Sequence, residues 1–104
     1  MAMLLSGVRI LDLTQVLAGP FGSRTLADLG AEVIKVETPG IGDSTRHSLA
    51  YTLNGESFYF LGMNRNKKGI TLNLKSPKGQ LVFHELARKS DVVFSNFRPG
   101  VLAN

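Results

Sequence analysis

Asp12-Leu13-Thr14-Gln15-Val16-Leu17-Ala18-Gly19-Pro20 is the stretch that decides how this chain folds. Val8, Ile10, Leu11 and Leu13 read as a buried strand, and the run from Pro20 reads as a helix, so the chain turns sharply between them. Gly19 lacks a Cβ and suits a place where backbone approaches another group closely. Pro20 suits a first helical position, where a missing N–H costs nothing. Such a junction leaves free amide donors beyond the strand end, where an anionic or carbonyl-bearing small molecule can use them.

Outward from that junction, helix and strand signals alternate. The helix from Pro20 is expected to end at Leu29, with Gly30 as the residue just past its end. Leu26 and Leu29 share one face of it, and Arg24 and Asp28 stand at i,i+4 on another. A second strand, Ala31–Glu37, is centred on Val33, Ile34 and Val36. Thr38 to Arg46 is rich in turn formers and reads as a loop. Asn54-Gly55 precedes an aromatic stretch at Ser57–Met63 that fits a short helix, although Phe58, Tyr59 and Phe60 suit a strand as well. Ile70, Leu72 and Leu74 alternate with Thr71 and Asn73, the period of a strand with one apolar face. Ser76-Pro77 then caps and opens a helix whose buried stripe is expected to be Val82, Phe83, Leu86 and Ala87. Asp91–Phe94 is a last short strand, and the chain turns out of it through Ser95 to Gly100.

This rhythm predicts an α/β fold with a mostly parallel sheet and right-handed crossovers. Ligands of such sheets bind beyond the carboxyl ends of the strands. Gln15–Gly19, Thr38–Asp43 and Asn96–Arg98 are expected to meet there.

The chain has 104 residues, 43% of them hydrophobic, which suffices for one small domain and not two. Its formal net charge of +4 favours an acidic or phosphorylated ligand but is too small to argue for nucleic acid. Cysteine is absent, which removes disulfides, thiolate nucleophiles and Cys-based zinc sites and permits a reducing, cytoplasmic setting. The opening Met1-Ala2-Met3-Leu4-Leu5 lacks the charged and long apolar regions of a signal peptide. No apolar run approaches the ~20 residues of a membrane span. The expectation is a soluble chain. It stops four residues after Gly100 without a polar tail, which reads as a truncation.

Several features carry less. Arg65-x-Lys67-Lys68 is either a phosphate patch or, as short charge runs usually are, a solvated loop. With the aromatic residues at 58–60 it also resembles a single-strand nucleic-acid platform, but no matching motif supports that reading. His47 and His84 stand alone, with no partners for metal or triad chemistry. Gly40-x-Gly42-Asp43 lacks the third glycine of a dinucleotide fingerprint and reads as a mobile turn over the site.

Four ordered blocks carry a specific resemblance. Gly7-Val8-Arg9-Ile10-Leu11-Asp12 through Ala18-Gly19-Pro20 is the first, and Leu29-Gly30-Ala31-Glu32-Val33-Ile34-Lys35-Val36-Glu37 the second. Asn64-Arg65-Asn66-Lys67-Lys68-Gly69-Ile70-Thr71-Leu72-Asn73-Leu74-Lys75 and Asp91-Val92-Val93-Phe94-Ser95-Asn96-Phe97-Arg98-Pro99-Gly100 complete the set. Together they resemble the N-terminal portion of class III CoA-transferases, the family of formyl-CoA transferase and carnitine CoA-transferase, with α-methylacyl-CoA racemase as a relative. The resemblance implies a Rossmann-like, mostly parallel sheet with flanking helices, residues 1–104 being the N-terminal part of a CoA-binding domain. It also implies a longer polypeptide that forms an interlocked homodimer. Coenzyme A enters as substrate, bound as acyl-CoA, with a carboxylic acid as the second substrate and no permanent cofactor, metal, nucleic acid or membrane partner.

In that family an aspartate carboxylate attacks the thioester and forms a mixed anhydride, splitting one acyl exchange into two easier steps. The resemblance places that aspartate downstream of residue 104, so no catalytic nucleophile is assigned here and the isolated chain is expected to be inactive. Gln15 is a candidate oxyanion or substrate contact, weighed against a solvent-facing strand-end residue. Val16, Leu17 and Ala18 match the segment lining the acyl and pantetheine end. Leu17 departs from the glutamine of formyl-CoA transferases, which counts against a formyl/oxalate pair. Thr38 stands where several relatives carry a phosphate-binding arginine, a charge that threonine cannot supply. Leu72, Asn73, Leu74 and Lys75 match an adenosine-contacting stretch, in which Leu72 is an apolar wall or plain core and Lys75 a phosphate partner. Asn96, Phe97 and Arg98 match a CoA-contacting turn. The alternatives are an acyl-CoA racemase or epimerase relative, and a non-catalytic piece that binds CoA or contributes to a dimer.

Overall fold

In the computed structural model, residues 3–47, 52–53 and 56–97 are described. In chain order the elements are β1 (Arg9–Asp12), α1 (Ala18–Asp28), β2 (Glu32–Glu37), a 3-10 turn (Ser44–His47), β3 (Thr52–Leu53), β4 (Glu56–Ser57), α2 (Phe58–Met63), β5 (Lys67–Thr71), α3 (Pro77–Arg88) and β6 (Val92–Phe94). Four strands make one parallel sheet in the order β5-β2-β1-β6, and β3 pairs with β4 in a small antiparallel hairpin.

The register assigns each strand residue to a face. Ile10 lies opposite Val33 and Val92, Leu11 opposite Ile34 and Val93, and Asp12 opposite Lys35 and Phe94. Side chains alternate between faces. Ile10 and Val33 therefore pack with Ala27, Ala31, Leu26 and Phe94 under α1, whereas Leu11 and Val36 pack with Ile34, Ile70, Phe83, Leu86 and Ala87 under α3. The face under α3 is apolar from Leu11 and Ile34 onward, with Arg9, Glu32 and Lys68 paired at its amino end. The face under α1 becomes ionic toward the carboxyl end, where it carries Asp12, Lys35, Glu37 and, reaching in from β5, Lys67.

Local chemistry accounts for the helix ends. Gly30 has a φ of 106°, and its amide donates to Ala27 while that of Ala31 donates to Leu26, the paired bonds that close a helix through a left-handed residue. Ser76 caps α3, its hydroxyl accepting the Gly79 amide at 3.0 Å. Helix α1 starts at Ala18, two residues before Pro20. Any first-turn amide lacks an intrahelical acceptor, so the proline is harmless at the third position as well as the first. Its end at Asp28 is one residue short of the expected Leu29.

The aromatic stretch resolves as helix α2, capped by Ser57, whose hydroxyl accepts the Phe60 amide at 3.3 Å. The predicted alternation through Leu74 is shorter as a strand, since β5 ends at Thr71. Its neighbour β2 stops at Glu37, whose carbonyl takes the Leu72 amide as the last such bond, and Leu72 and Leu74 keep only their apolar packing. Asn54-Gly55 and the turn from Arg98 onward lie outside the described residues.

Successive strands run from β1 outward through β2 to β5, and then β6 returns to the other side of β1. The direction of winding therefore reverses between β1 and β6, the place where open α/β sheets leave a crevice at their carboxyl ends.

Candidate functional site

Five consecutive backbone groups follow β1 at that reversal, and a side chain holds each of them. The Thr14 amide donates to Asp12 at 2.9 Å, and the Thr14 carbonyl accepts from Lys35 Nζ at 2.9 Å. The Gln15 amide donates to Asn96 Oδ1 at 3.0 Å, and its carbonyl accepts from Asn96 Nδ2 at 2.8 Å. The Val16 amide donates to both oxygens of Asp43, at 3.4 and 3.3 Å. The tripeptide is thus fixed by residues from β1, β2, the loop after β2 and the turn after β6. Val16 is held with φ at 72°, a left-handed conformation that a β-branched residue rarely adopts.

Beyond Val16 the helix opens without a side-chain cap. The amides of Leu17, Ala18 and Gly19 find no acceptor among the described residues. Gly19 is forced to be glycine, as expected, but by an internal neighbour: a Cβ there would collide with the Thr14 side chain and crowd Asn96. Val16 and Leu17 are about half exposed, at 47% and 49%, so an apolar lip borders the free amides.

Under this rim lies the ionic layer. Lys35 Nζ and Asp43 pair at 3.0 Å with almost no exposure, and Lys67 Nζ and Asp12 pair at 2.9 Å, equally buried. Asp12 also accepts the hydroxyls of Thr14 and of Ser23, the latter at 2.7 Å, which ties β1 to α1. Lys67 donates further to Asn64 at 2.8 Å and to the Pro20 carbonyl at 3.2 Å. Burial pushes the Lys67 ammonium down, only partly countered by Asp12. Burial works to raise the Asp43 carboxyl, yet the Thr45 amide and Lys35 outweigh it and hold it below its ordinary value. Glu37 is likewise pressed upward by burial and lowered more strongly by Arg46 and the Asp43 amide. Arg46 grips Glu37 through two bonds of 2.8 Å and lies 3.7 Å above the Phe60 ring.

Each described residue that the family resemblance marks as a site candidate follows the carboxyl end of a strand. Gln15, Val16, Leu17 and Ala18 follow β1, and Thr38, exposed, follows β2 with its carbonyl accepting the Gly42 amide. Leu72, Asn73, Leu74 and Lys75 follow β5; the leucines are half-buried against the α3 core, and Asn73 and Lys75 are exposed. Asn96 and Phe97 follow β6, Asn96 touching Gln15 and Phe97 packing partly into the core. Arg98 lies outside the described residues. The β1 and β6 segments are in direct contact. The β5 segment stands two strand spacings from the β1 segment and three from the β6 segment, about 10 and 14 Å.

The charge cluster divides, with Lys67 internal and the Arg65 and Lys68 side chains largely exposed. Arg65 binds Asp28 at 2.8 Å, Lys67 is internal, and Lys68 lies 3.6 Å from Glu32. Arg65 thereby takes over Asp28, which Arg24 approaches only to 4.0 Å. Sequence reading gave Lys35 no role beyond its strand, and it placed Asp43 in a mobile turn and Lys67 in a charge run instead of in buried ion pairs. Its available signal was a lysine at an inward position of each of two strands, which a buried carboxylate must answer. Among the described residues, no three His, Asp or Glu side chains gather where a metal ion could be held.

The profile described as CoA-transferase family III matches residues 5–104. This chain belongs to CoA-transferase family III. Within the family it is 58% identical over 99 residues to the succinyl-CoA:glutarate CoA-transferase of Mus musculus. It is 54% identical over 98 residues to the formyl-CoA:oxalate CoA-transferase of Bradyrhizobium diazoefficiens. Those matches take in 95% and 94% of this chain but 23% of each relative, so the chain spans less than a quarter of their length. A CaiB/BaiF family protein from Brucella suis has the same fold, with a TM-score of 0.90 at 37% identity over 99% of this chain and 28% of that one. A hypothetical protein from Mycobacterium tuberculosis aligns with a TM-score of 0.87 at 43% identity, over 98% and 27% of the two chains. No described helix is long and apolar enough to cross a membrane.

Proposed function

We propose that this chain is the coenzyme A-binding edge of an enzyme that moves CoA from an acyl-CoA to a carboxylic acid. The observation that carries this reading is the tripeptide Thr14–Val16, locked by four side chains at the winding reversal and followed by amides without acceptors among the described residues. Amides fixed before substrate arrives can stabilise the oxyanion of a thioester adduct without reorganising. Gln15 would contact the thioester, and Val16, Leu17 and Ala18 the pantetheine arm. Leu72, Asn73, Leu74 and Lys75 would take the adenosine and phosphate end, and the turn formed by Asn96, Phe97 and Arg98 would contact CoA on the other side of β1. The separation of about 14 Å between the outer segments suits a long ligand laid across the strand ends. Thr38 brings no charge, so Lys75 and Arg98 carry the phosphate duty.

The chemistry itself would use an aspartate outside residues 1–104. Its oxygen attacks the thioester carbon, the C–S bond breaks, and an acyl-aspartyl anhydride and CoA thiolate result. The acceptors in the relatives' names, glutarate and oxalate, favour a short dicarboxylic acid as acceptor. A cytoplasmic homodimer of a longer polypeptide completes the proposal.

Calorimetric titration of the chain with coenzyme A tests the binding half. Wild type is expected to bind, and Arg98→Ala to weaken binding by about 1–3 kcal/mol. Absence of heat with the wild type would remove the reading. For the longer polypeptide, CoA exchange between a thioester and free dicarboxylates is expected. Proton exchange at the α-carbon without CoA transfer would assign it to the racemases instead.

A further inference from the structure

Two non-glycine residues among those described have positive φ, Val16 and Asn66. Asparagine tolerates this region, whereas a valine Cβ crowds the following carbonyl. Val16 therefore needs neighbours that over-determine its backbone. Two charged side chains provide that constraint. Lys35 Nζ donates to the Thr14 carbonyl at 2.9 Å, and Asp43 accepts the Val16 amide at 3.3 and 3.4 Å. The two ions pair with each other at 3.0 Å, with side chains 3% and 0% exposed. Asp43 is steadied in turn by the Thr45 amide and hydroxyl at 2.9 and 2.8 Å. Its own amide donates to Glu37 at 2.9 Å. A pair that only filled the interior would have no reason to end on the two backbone groups that bracket Gln15.

We propose that Lys35 and Asp43 are positioning residues of the coenzyme A site: the pair keeps Val16 left-handed and so sets the direction of the amides after it. This rests on the CoA-binding reading above, but its effect on the backbone is measurable without ligand.

The test compares wild type, Lys35→Met/Asp43→Ala, Val16→Gly and the triple variant. Removing both charges together leaves no lone ion inside. The three-bond HN–Hα coupling and amide shifts of residue 16 report its φ, and calorimetry with coenzyme A reports affinity. The double variant is expected to keep the shifts of Ile10 and Val33 while Val16 leaves the left-handed region. Its affinity should fall about tenfold, the factor equivalent to ~1.4 kcal/mol of left-handed strain. Adding Val16→Gly should recover most of that loss, because glycine enters the region freely. Asp43→Asn, which retains an acceptor for the Val16 amide, should lose less than Asp43→Ala. A folded double variant with Val16 still left-handed would overturn the proposal, as would a loss that Val16→Gly does not recover. If the double variant does not fold, restored folding on adding Val16→Gly supports the proposal, and continued failure overturns it. A wild type that binds no coenzyme A removes the functional reading alone, and the coupling constants then decide the positioning.

Discussion

Gly19 shows how a single residue ties the first turn together. Its amide follows the locked tripeptide, and its α-carbon rests against the Thr14 side chain and Asn96. Gly19→Ala would place a methyl group into the Thr14 side chain, which cannot retreat because it is fully buried. We expect a loss of about 1–3 kcal/mol, the usual range for overpacking, read as a lower urea midpoint with an unchanged slope. An unshifted midpoint would mean that the turn yields more easily than its bonds indicate. The need for a small residue at position 19 was legible in the sequence, since a glycine between a strand and a proline signals a tight approach. That the group approached is Thr14 was not, because residues five apart across a turn have no fixed spatial relation until the turn is built.

At the scale of elements, the ionic layer joins α1 to the sheet. Lys67 stands on β5, reaches over β2, and meets Asp12 on β1, which also binds Ser23 on α1. Lys67→Met removes one ion from a buried pair and leaves Asp12 without its counter-charge. Breaking such a pair typically costs about 3–5 kcal/mol. Thermal denaturation should show that drop, and Lys67→Met combined with Asp12→Leu should be less destabilised than the single variant. A double variant worse than the single would mean that the layer's hydrogen bonds, not its charge balance, hold α1 in place. The elements themselves were readable: the cap at Ser76 and the stop at Gly30 appear near their expected positions, and Phe83, Leu86 and Ala87 pack inward, whereas Val82, expected in the same stripe, is 47% exposed. The aromatic stretch was ambiguous by period alone, and the cap from Ser57 tips it to helix.

For the molecule as a whole, the buried carboxylates set the response to acid. Despite burial, Asp43 and Glu37 are held below their ordinary values of 3.8 and 4.5 by the cations and amides around them. Their unfolded forms bind protons more readily, so their stabilising contribution is complete above those ordinary values and is lost as pH falls through the lowered ones. Melting temperature should therefore be nearly flat from about pH 7 to 5 and drop below about pH 4. A decline already in progress at pH 6 would show that other groups govern the response. Strand and helix succession, the mostly parallel sheet and the gathering of loops at one end were all determined by the sequence alone, because period, caps and turn formers act over a few residues. Gln15 and Asn96 lie 81 positions apart, and Lys35 and Asp43 close on each other around a loop. Only the tertiary structure decided those pairings. Alternation states which face a side chain occupies, but the strand order and register choose the charge it meets.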